Sequence, residues 1–280
     1  MTEFYRTEKV NDRITGIRSL TGEIMYLIEG KDKAALIDTC LGVGHLKKTV
    51  EALTDRPITV LLTHGHLDHA MGAPEFETVY MNHADREVYE AMAPFEERNN
   101  YIRGNLGGKL PDFSPEDYVP VSPMNFHDLK DGDSFDLGGV HVDAYALAGH
   151  TKGTMVFLIR EERIMVLGDA CNPATFLFDK NSLTVEEYRK GLQEFQQRHK
   201  GSYDKVFLCH QVMELGPELV DNVIEVCDDI LAGKTDDQPF EFMGQVNWIA
   251  KAVKEGFRRV DGKIGNIIYS KDRIKGDSHE

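Results

Sequence analysis

Apolar residues along this chain recur with two periods. Short β-branched runs alternate with stretches in which apolar residues return every three or four positions. Ile14 to Leu20, Ile24 to Glu29 and Ala34 to Asp38 read as three strands. Leu41-Gly42-Val43-Gly44 then turns into a helix from about His45 to Leu53. Ile58 to Thr63 is a buried strand, Val79-Tyr80-Met81 another, and Ala84 to Met92 a helix. Further on, Val142 to Leu147, Arg163 to Leu167 and Lys205 to Cys209 read as strands. Val185, Tyr188, Leu192 and Phe195 mark an amphipathic helix over 184–199. Pro217 to Leu231 reads as a helix, Gly233 to Pro239 as a polar turn, Gln245 to Phe257 as a further helix and Ile264 to Ser270 as a strand. The final stretch, Lys271–Glu280, reads as frayed. Strands alternating with helices predict a layered α/β architecture.

Residues 93–125 break this rhythm. Pro94, Pro111, Pro115, Pro120 and Pro123, with Gly104, Gly107 and Gly108, oppose long regular elements. Phe95, Tyr101, Phe113 and Tyr118 lie within it and Phe126 just after. The segment reads as an insertion forming a substrate wall or lid, or else as a loop whose aromatics pin it to the body.

The densest chemistry is His64-Gly65-His66-Leu67-Asp68-His69, directly after the strand Ile58–Thr63. From the residue frequencies of this chain, His-x-His-x-Asp-His arises by chance about once in a thousand such chains. His64 and His66, two apart, can hold one ion, while Asp68 and His69 turn towards a second. His150, Asp169 and His210 each follow a predicted strand, the position where open α/β sheets build their sites. Gly149 and Gly168 precede two of them and allow close backbone approach. These seven residues complete two sets of metal donors. Asp38, at a strand end, is expected to accept a hydrogen bond from a ligand loop.

Leu36-Ile37-Asp38-Thr39, the His64–His69 motif, Gly149-His150-Thr151, Gly168-Asp169 and Cys209-His210 together resemble the metallo-β-lactamase-fold hydrolase superfamily. They follow its order across roughly residues 20–212. The resemblance implies a four-layer αββα sandwich, here with an inserted loop or helical segment at about 93–125 and a C-terminal helix-strand extension at about 233–280, all within one domain over 1–280. It implies His64, His66 and His150 on a first metal, Asp68, His69 and His210 on a second, and Asp169 bridging them. It also implies two divalent ions, zinc first, with iron or manganese as alternatives. A hydroxide shared by the ions would be the nucleophile, and Asp68 would help carry its proton. His66 stands where the diiron oxygen-reducing branch has glutamate. Asp169 and His69 stand where the zinc β-lactamases proper tend to have cysteine and arginine. Gly149-His150-Thr151 resembles the glyoxalase II and lactonase branches, although Asn172 replaces a tyrosine of the quorum-quenching lactonases. The expected reaction is hydrolysis of a lactone or thioester. A phosphodiesterase, a mononuclear iron dioxygenase and a non-catalytic metal-binding module are the alternatives.

Composition narrows the partners. Of 280 residues, 41% are hydrophobic and 28% charged, ordinary for a globular protein. The net charge of −15 argues against a nucleic-acid groove and against an anionic membrane surface. A small-molecule substrate is expected, and the oligomeric state stays open. Cys40, Cys171, Cys209 and Cys227 are widely spaced and read as reduced thiols. Cys171 and Cys209, beside expected ligands, are read as buried or as tuning a metal. No signal peptide is expected from Met1 to Arg6 and no apolar stretch suffices to span a membrane, so the expected location is cytoplasmic. Phe176 and Phe178 read equally as an apolar subsite or as core. Lys251, Lys254, Arg258 and Arg259 form a basic patch in this acidic chain. It reads as a solvated helix face or, by resemblance to glyoxalase II, as a seat for an anionic substrate tail.

Overall fold

A computed structural model describes residues 3–109, 113–120, 122–242 and 244–276. Pro111 of the inserted segment and the tail residues 277–280 lie outside these.

Seven strands form the first sheet in simple chain order. They are β1 (Tyr5–Lys9), β2 (Ile14–Ser19), β3 (Ile24–Glu29), β4 (Ala34–Ile37), β5 (Ile58–Leu61), β6 (Val79–Met81) and β7 (His127–Asp128). Pairing is antiparallel through β4 and parallel from β4 to β7. The second sheet draws on β8 (Ser134–Asp136), β9 (His141–Ala146), β10 (Met155–Ile159) and β11 (Ile164–Val166), skipping β12 (Thr175–Leu177). It ends with β13 (Lys205–Phe207) and β14 (Glu214–Leu215), in the order β14-β13-β11-β10-β9-β8.

Period-two alternation sorts these strands into layers. In β3, Ile24, Tyr26 and Ile28 point to one core, while Met25 and Leu27 point to another. In β10, Met155, Phe157 and Ile159 share the core of Ile24 and Tyr26, whereas Val156 and Leu158 face away. The shared core is therefore the space between the two sheets. On the outer face of the first sheet lie α1 (Leu46–Glu51), α2 (Leu67–Ala70), α3 (Arg86–Met92) and α4 (Phe95–Asn105), through Leu46, Val50, Tyr89 and Ile102. On the outer face of the second lie α5 (Val185–His199) and α6 (Glu218–Leu231), through Val185, Tyr188, Leu192, Val223 and Ile230. The layers run helix, sheet, sheet, helix, as expected. A capping box between Thr184 and Glu187 starts α5.

One expectation is narrowed and one corrected. The inserted segment contains a regular helix of 11 residues, α4. Pro94, Gly107 and Gly108 flank this helix and Gly104 is taken into its last turn, while Glu96 and Glu97 at its start with Arg103 at its end suit the helix dipole. Arg98, buried, donates from α4 to the carbonyls of Gly42 and Val119 and fixes the segment to the body.

The C-terminal extension is built from strands, not from a helix over Gln245–Phe257. β15 (Gln238–Phe242) and β16 (Gln245–Ile249) form a hairpin, β17 (Val253–Lys254) and β18 (Arg258–Arg259) form another, and β19 (Ile267–Tyr269) follows. β12 joins β15, β16 and β19 in a four-stranded sheet in the order β12-β19-β16-β15, and β17 and β18 form a two-stranded sheet of their own. In β16 Asn247 and Ile249 are buried while Val246 is 60% exposed, the period of two that a strand requires. The expected polar turn ends at Gln238, and Pro239 is tolerated because β15 is an edge strand.

Candidate metal centre

The seven expected ligands converge at one edge of the sandwich, where strands of both sheets end. The loop after β5 carries His64 and His66, and α2 carries Asp68 and His69. His150 precedes β10, Asp169 follows β11 and His210 follows β13. Donor atoms of His64, His66 and His150 lie within 4.8 Å of one another, as do those of Asp68, His69, Asp169 and His210.

The first set is three ring nitrogens nearly in contact. His66 Nδ1 is 3.0 Å from His64 Nε2 and 2.9 Å from His150 Nε2. The opposite ring nitrogens decide what these atoms are. His150 Nδ1 donates to the carbonyl of Phe176 at 2.9 Å. His64 Nδ1 lies 3.0 Å from the hydroxyl of Thr63, which in turn donates to Asp38. With their protons used there, His64 and His150 turn bare lone pairs towards His66. Burial, reinforced by the neighbouring imidazoles, pushes His64 far down and His66 down to about 3, so neither gains a proton at neutral pH. Two of the three converging nitrogens are bare lone pairs and a proton on His66 Nδ1 can meet only one of them, so three imidazoles aimed at one point fit a metal ion that takes all three. His66 Nε2 is buried without a partner, so this ring meets its neighbours through Nδ1 alone, on the side where the three imidazoles converge.

The second set mixes charge. Asp169 Oδ2 is 3.2 Å from both His69 Nε2 and His210 Nε2 and 3.9 Å from His150 Nε2, so it faces both sets. Asp68 Oδ2 is 3.4 Å from His210 Nε2 and 3.6 Å from His69 Nε2. Burial pushes His210 down, but Asp169 and Asp68 outweigh it and hold the imidazole up at about 9. Two carboxylates facing two imidazoles suit a divalent ion in nitrogen and oxygen ligation.

A buried scaffold orients these groups. Asp38 accepts from His69 Nδ1 at 2.8 Å and from the Thr63 backbone N–H at 2.7 Å, which leaves His69 Nε2 unprotonated on the site side when neutral. The expected hydrogen bond from a ligand loop to Asp38 is therefore present. Asp38 holds this place with φ at 63°, a conformation that aspartate tolerates better than most residues. A Cβ on Gly149 would stand 2.2 Å from the Tyr188 ring, and Gly168 adopts φ of 52° just before Asp169. Both glycines do what the sequence suggested. Cys171 and Cys209 are buried, and burial raises both thiols. Cys209 Sγ lies 3.5 Å from Asp38 Oδ2, outside the two converging sets.

Three residues of the site have no sequence signal. Asp85, buried at the start of α3, accepts from the backbone of Gly65 and Gly153 and from the Thr151 hydroxyl. The hydroxyl of Tyr101 on α4 lies between Asp68 Oδ2 and the buried Glu23. Tyr101 is the aromatic of the inserted segment that reaches the ligands. Phe113 packs on Phe4 and the backbone of Tyr118 bridges Val43, contacts that pin the segment to the body, while the Tyr118 hydroxyl donates to Asn99 within the segment.

The basic patch does not lie on a helix face. Lys251 pairs with Asp229, and Arg259, buried, pairs with Asp261 and donates to the Gly265 carbonyl. Lys254 and Arg258 stand opposite each other across β17 and β18, exposed, and without a carboxylate partner among the described residues.

The family model for the metallo-beta-lactamase superfamily matches residues 24–210. The human acyl-coenzyme A thioesterase MBLAC2 is 23% identical over 190 residues, which span 60% of this chain and 66% of that protein. The hydroxyacylglutathione hydrolase GloC of Haemophilus influenzae is 24% identical over 168 residues, 57% of this chain and 71% of the other. Among solved structures, the metallo-beta-lactamase IND-7 superposes with a TM-score of 0.58 at 15% identity, covering 80% of this chain and 98% of its own. The sec-alkylsulfatase Pisa1 from Pseudomonas sp. superposes at 0.62 with 14% identity, covering 82% and 43%.

Proposed function

The chain belongs to the metallo-β-lactamase superfamily, and we propose that it is a dinuclear metal-dependent hydrolase of a small ester-type bond, a thioester first and a lactone second. The observation that carries this is the pair of adjacent donor sets, with three imidazole nitrogens converging at 2.9–3.0 Å in the first and Asp169 of the second 3.9 Å from His150 of the first. Likeness to a thioesterase and to a hydroxyacylglutathione hydrolase supports the thioester.

His64, His66 and His150 would hold one ion, and Asp68, His69 and His210 the other, with Asp169 between. Nitrogen and carboxylate donors suit zinc, with iron or manganese as alternatives. Bound divalent ions supply Lewis acidity towards a substrate oxygen and lower the pKa of water. The protein supplies the rest. Asp38 and Phe176 fix which nitrogen of His69 and of His150 faces the substrate. Asp68 presents Oδ2 to the reacting region and takes the proton there. The buried walls exclude bulk water, which strengthens each of these charges. We also propose one domain throughout, a small-molecule substrate and a reducing compartment such as the cytoplasm, in keeping with four buried, unpaired cysteines. Among the described residues no helix is long and apolar enough to cross a membrane.

The test is a hydrolysis panel on protein loaded with Zn²⁺, Mn²⁺ or Fe²⁺, alongside metal analysis. It holds S-acyl thioesters, lactones, aryl esters and an aryl phosphodiester, with Asp169→Ala as control. Thioester or lactone turnover with two ions per chain, lost in the control, is expected. Phosphodiester turnover with inert acyl substrates overturns the reading.

A further inference from the structure

Five phenylalanines outside the buried cores gather beside the candidate metal centre. Phe176 lies on β12 and Phe178 just beyond it, Phe240 and Phe242 lie on β15, and Phe257 stands between β17 and β18. Ring centroids of Phe176 lie 4.9 Å from Phe178, 5.8 Å from Phe240 and 5.6 Å from Phe242. Phe240 continues the chain to Phe257 at 6.0 Å. None of the five is buried, and Phe242 is 36% exposed. Leaving several large rings in contact with water forgoes the burial that stabilises a core, so a contiguous patch of this kind marks a binding surface.

The placement of the rings is not a by-product of strand pairing. β12 and β15 stand at opposite edges of their four-stranded sheet. On a flat sheet they would be about 14 Å apart. Their rings meet, so the sheet curls towards the face that carries them.

Both ends of the cluster are tied to the metal donors. Phe176 accepts the His150 Nδ1 proton on its own carbonyl, one bond network away from the converging nitrogens. At the other end, Phe240 and Phe257 line a cavity of about 390 Å³ together with Ile249, Val253, Lys254 and Gln211. Gln211 directly follows His210. The cavity is of the size that takes part of a small ligand, and the lining residues named include no carboxylate.

Resting on the hydrolase reading above, we infer that the phenylalanine cluster and this cavity bind the apolar acyl arm of the substrate. The carbonyl of an acyl group held there lies towards His150 and His210, and its chain runs over Phe176 and Phe240 to Phe257. The acyl side of the scissile bond, not the leaving group, is then what this protein selects.

The test is a series of acyl groups from two to ten carbons on one leaving group, and a series of leaving groups on one acyl group, with metal-loaded enzyme. Octanoate binding by calorimetry is read in parallel, without turnover. The variants are Phe240→Ala, Phe257→Ala and the double variant. Both side chains lie outside the buried cores, and circular dichroism with thermal melting checks that the variants fold. In the native protein kcat/KM is expected to rise at least about tenfold from two to eight carbons. The double variant flattens that slope and weakens octanoate binding at least about tenfold. Acyl hydrolysis with no dependence on chain length, unchanged by the variants, overturns the acyl site and leaves the hydrolase reading standing. Selectivity for the leaving group in place of the acyl chain overturns it by putting the other arm in the cavity. Octanoate binding lost in the double variant, with no acyl hydrolysis by any protein, removes the hydrolase reading and leaves an apolar-ligand site.

Discussion

Tyr101 places its hydroxyl 2.9 Å from Oδ2 of Asp68 and, on its other side, 2.9 Å from Oε1 of Glu23. A phenol carries one proton and can donate to one of these carboxylates at a time. The second oxygen of Glu23 is already served by the hydroxyls of Ser19 and Thr21. The inserted helix thus reaches the second donor set through one hydrogen bond held in a buried network. Tyr101→Phe removes the proton and keeps the ring. Binding of the second ion is expected to weaken by about 10- to 100-fold, the usual effect of removing a group that orients a ligand. Competition against a chromophoric chelator measures this. Unchanged affinity for both ions would reduce Tyr101 to a packing residue.

Asp85 ties together the two loops that carry His64, His66 and His150. Its carboxylate accepts from Gly65 N at 3.0 Å, Gly153 N at 2.8 Å and Thr151 Oγ1 at 2.6 Å. Asp85→Ala leaves these donors buried and unsatisfied, each costing about 1–3 kcal/mol. A loss of at least about 3 kcal/mol in urea unfolding is expected, as a lower midpoint at constant slope. A loss below about 1 kcal/mol would mean that the loops hold their positions without it.

Asp38→Asn tests the orientation of His69 separately from its ligation. The amide can still accept from Thr63 N, but an N–H directed at His69 Nδ1 forces the other tautomer and turns a protonated Nε2 into the site. The second ion should bind about 10- to 100-fold more weakly while the first is retained. Metal content after dialysis separates the two ions, and full retention of both would remove Asp38 from this role.

Most of the donor set was legible in the sequence because each ligand follows a short apolar strand, a local pattern. Asp38 was legible for the same reason. Asp85, Glu23 and Tyr101 were not, since their partners lie 20 to 78 positions away and nothing local marks them. The inserted helix was hidden by flanking prolines that bound it instead of breaking it. The β15–β16 hairpin was hidden by Val246, Ile249, Ala250 and Val253, which recur at helical spacing. The phenylalanine cluster depended on that hairpin. Phe176 and Phe178 could be read as core or subsite, and the packing of Phe240 and Phe242 against them, all incompletely buried, supports the subsite reading.

Proton release distinguishes the two donor sets. Without metal, His66 is held down at about 3 by burial and His150, whereas His210 is held up at about 9 because Asp169 and Asp68 outweigh its desolvation. His69 is raised as well by Asp68 and Asp38 against its burial. At pH 7 His64 and His66 of the first set therefore accept an ion without losing a proton, and the second set must expel at least one. Affinity for the second ion should rise about tenfold per pH unit below pH 9, while affinity for the first stays nearly flat from pH 6 to 8. The same shift acts on the metal-free fold. A folded pKa raised above the unfolded value gives stability that is complete below about 6.5 and fades as pH climbs through about 9. Calorimetric metal titrations in buffers of different ionisation enthalpy count the protons directly. Release on the first ion and none on the second would reverse the assignment of charge to the two sets.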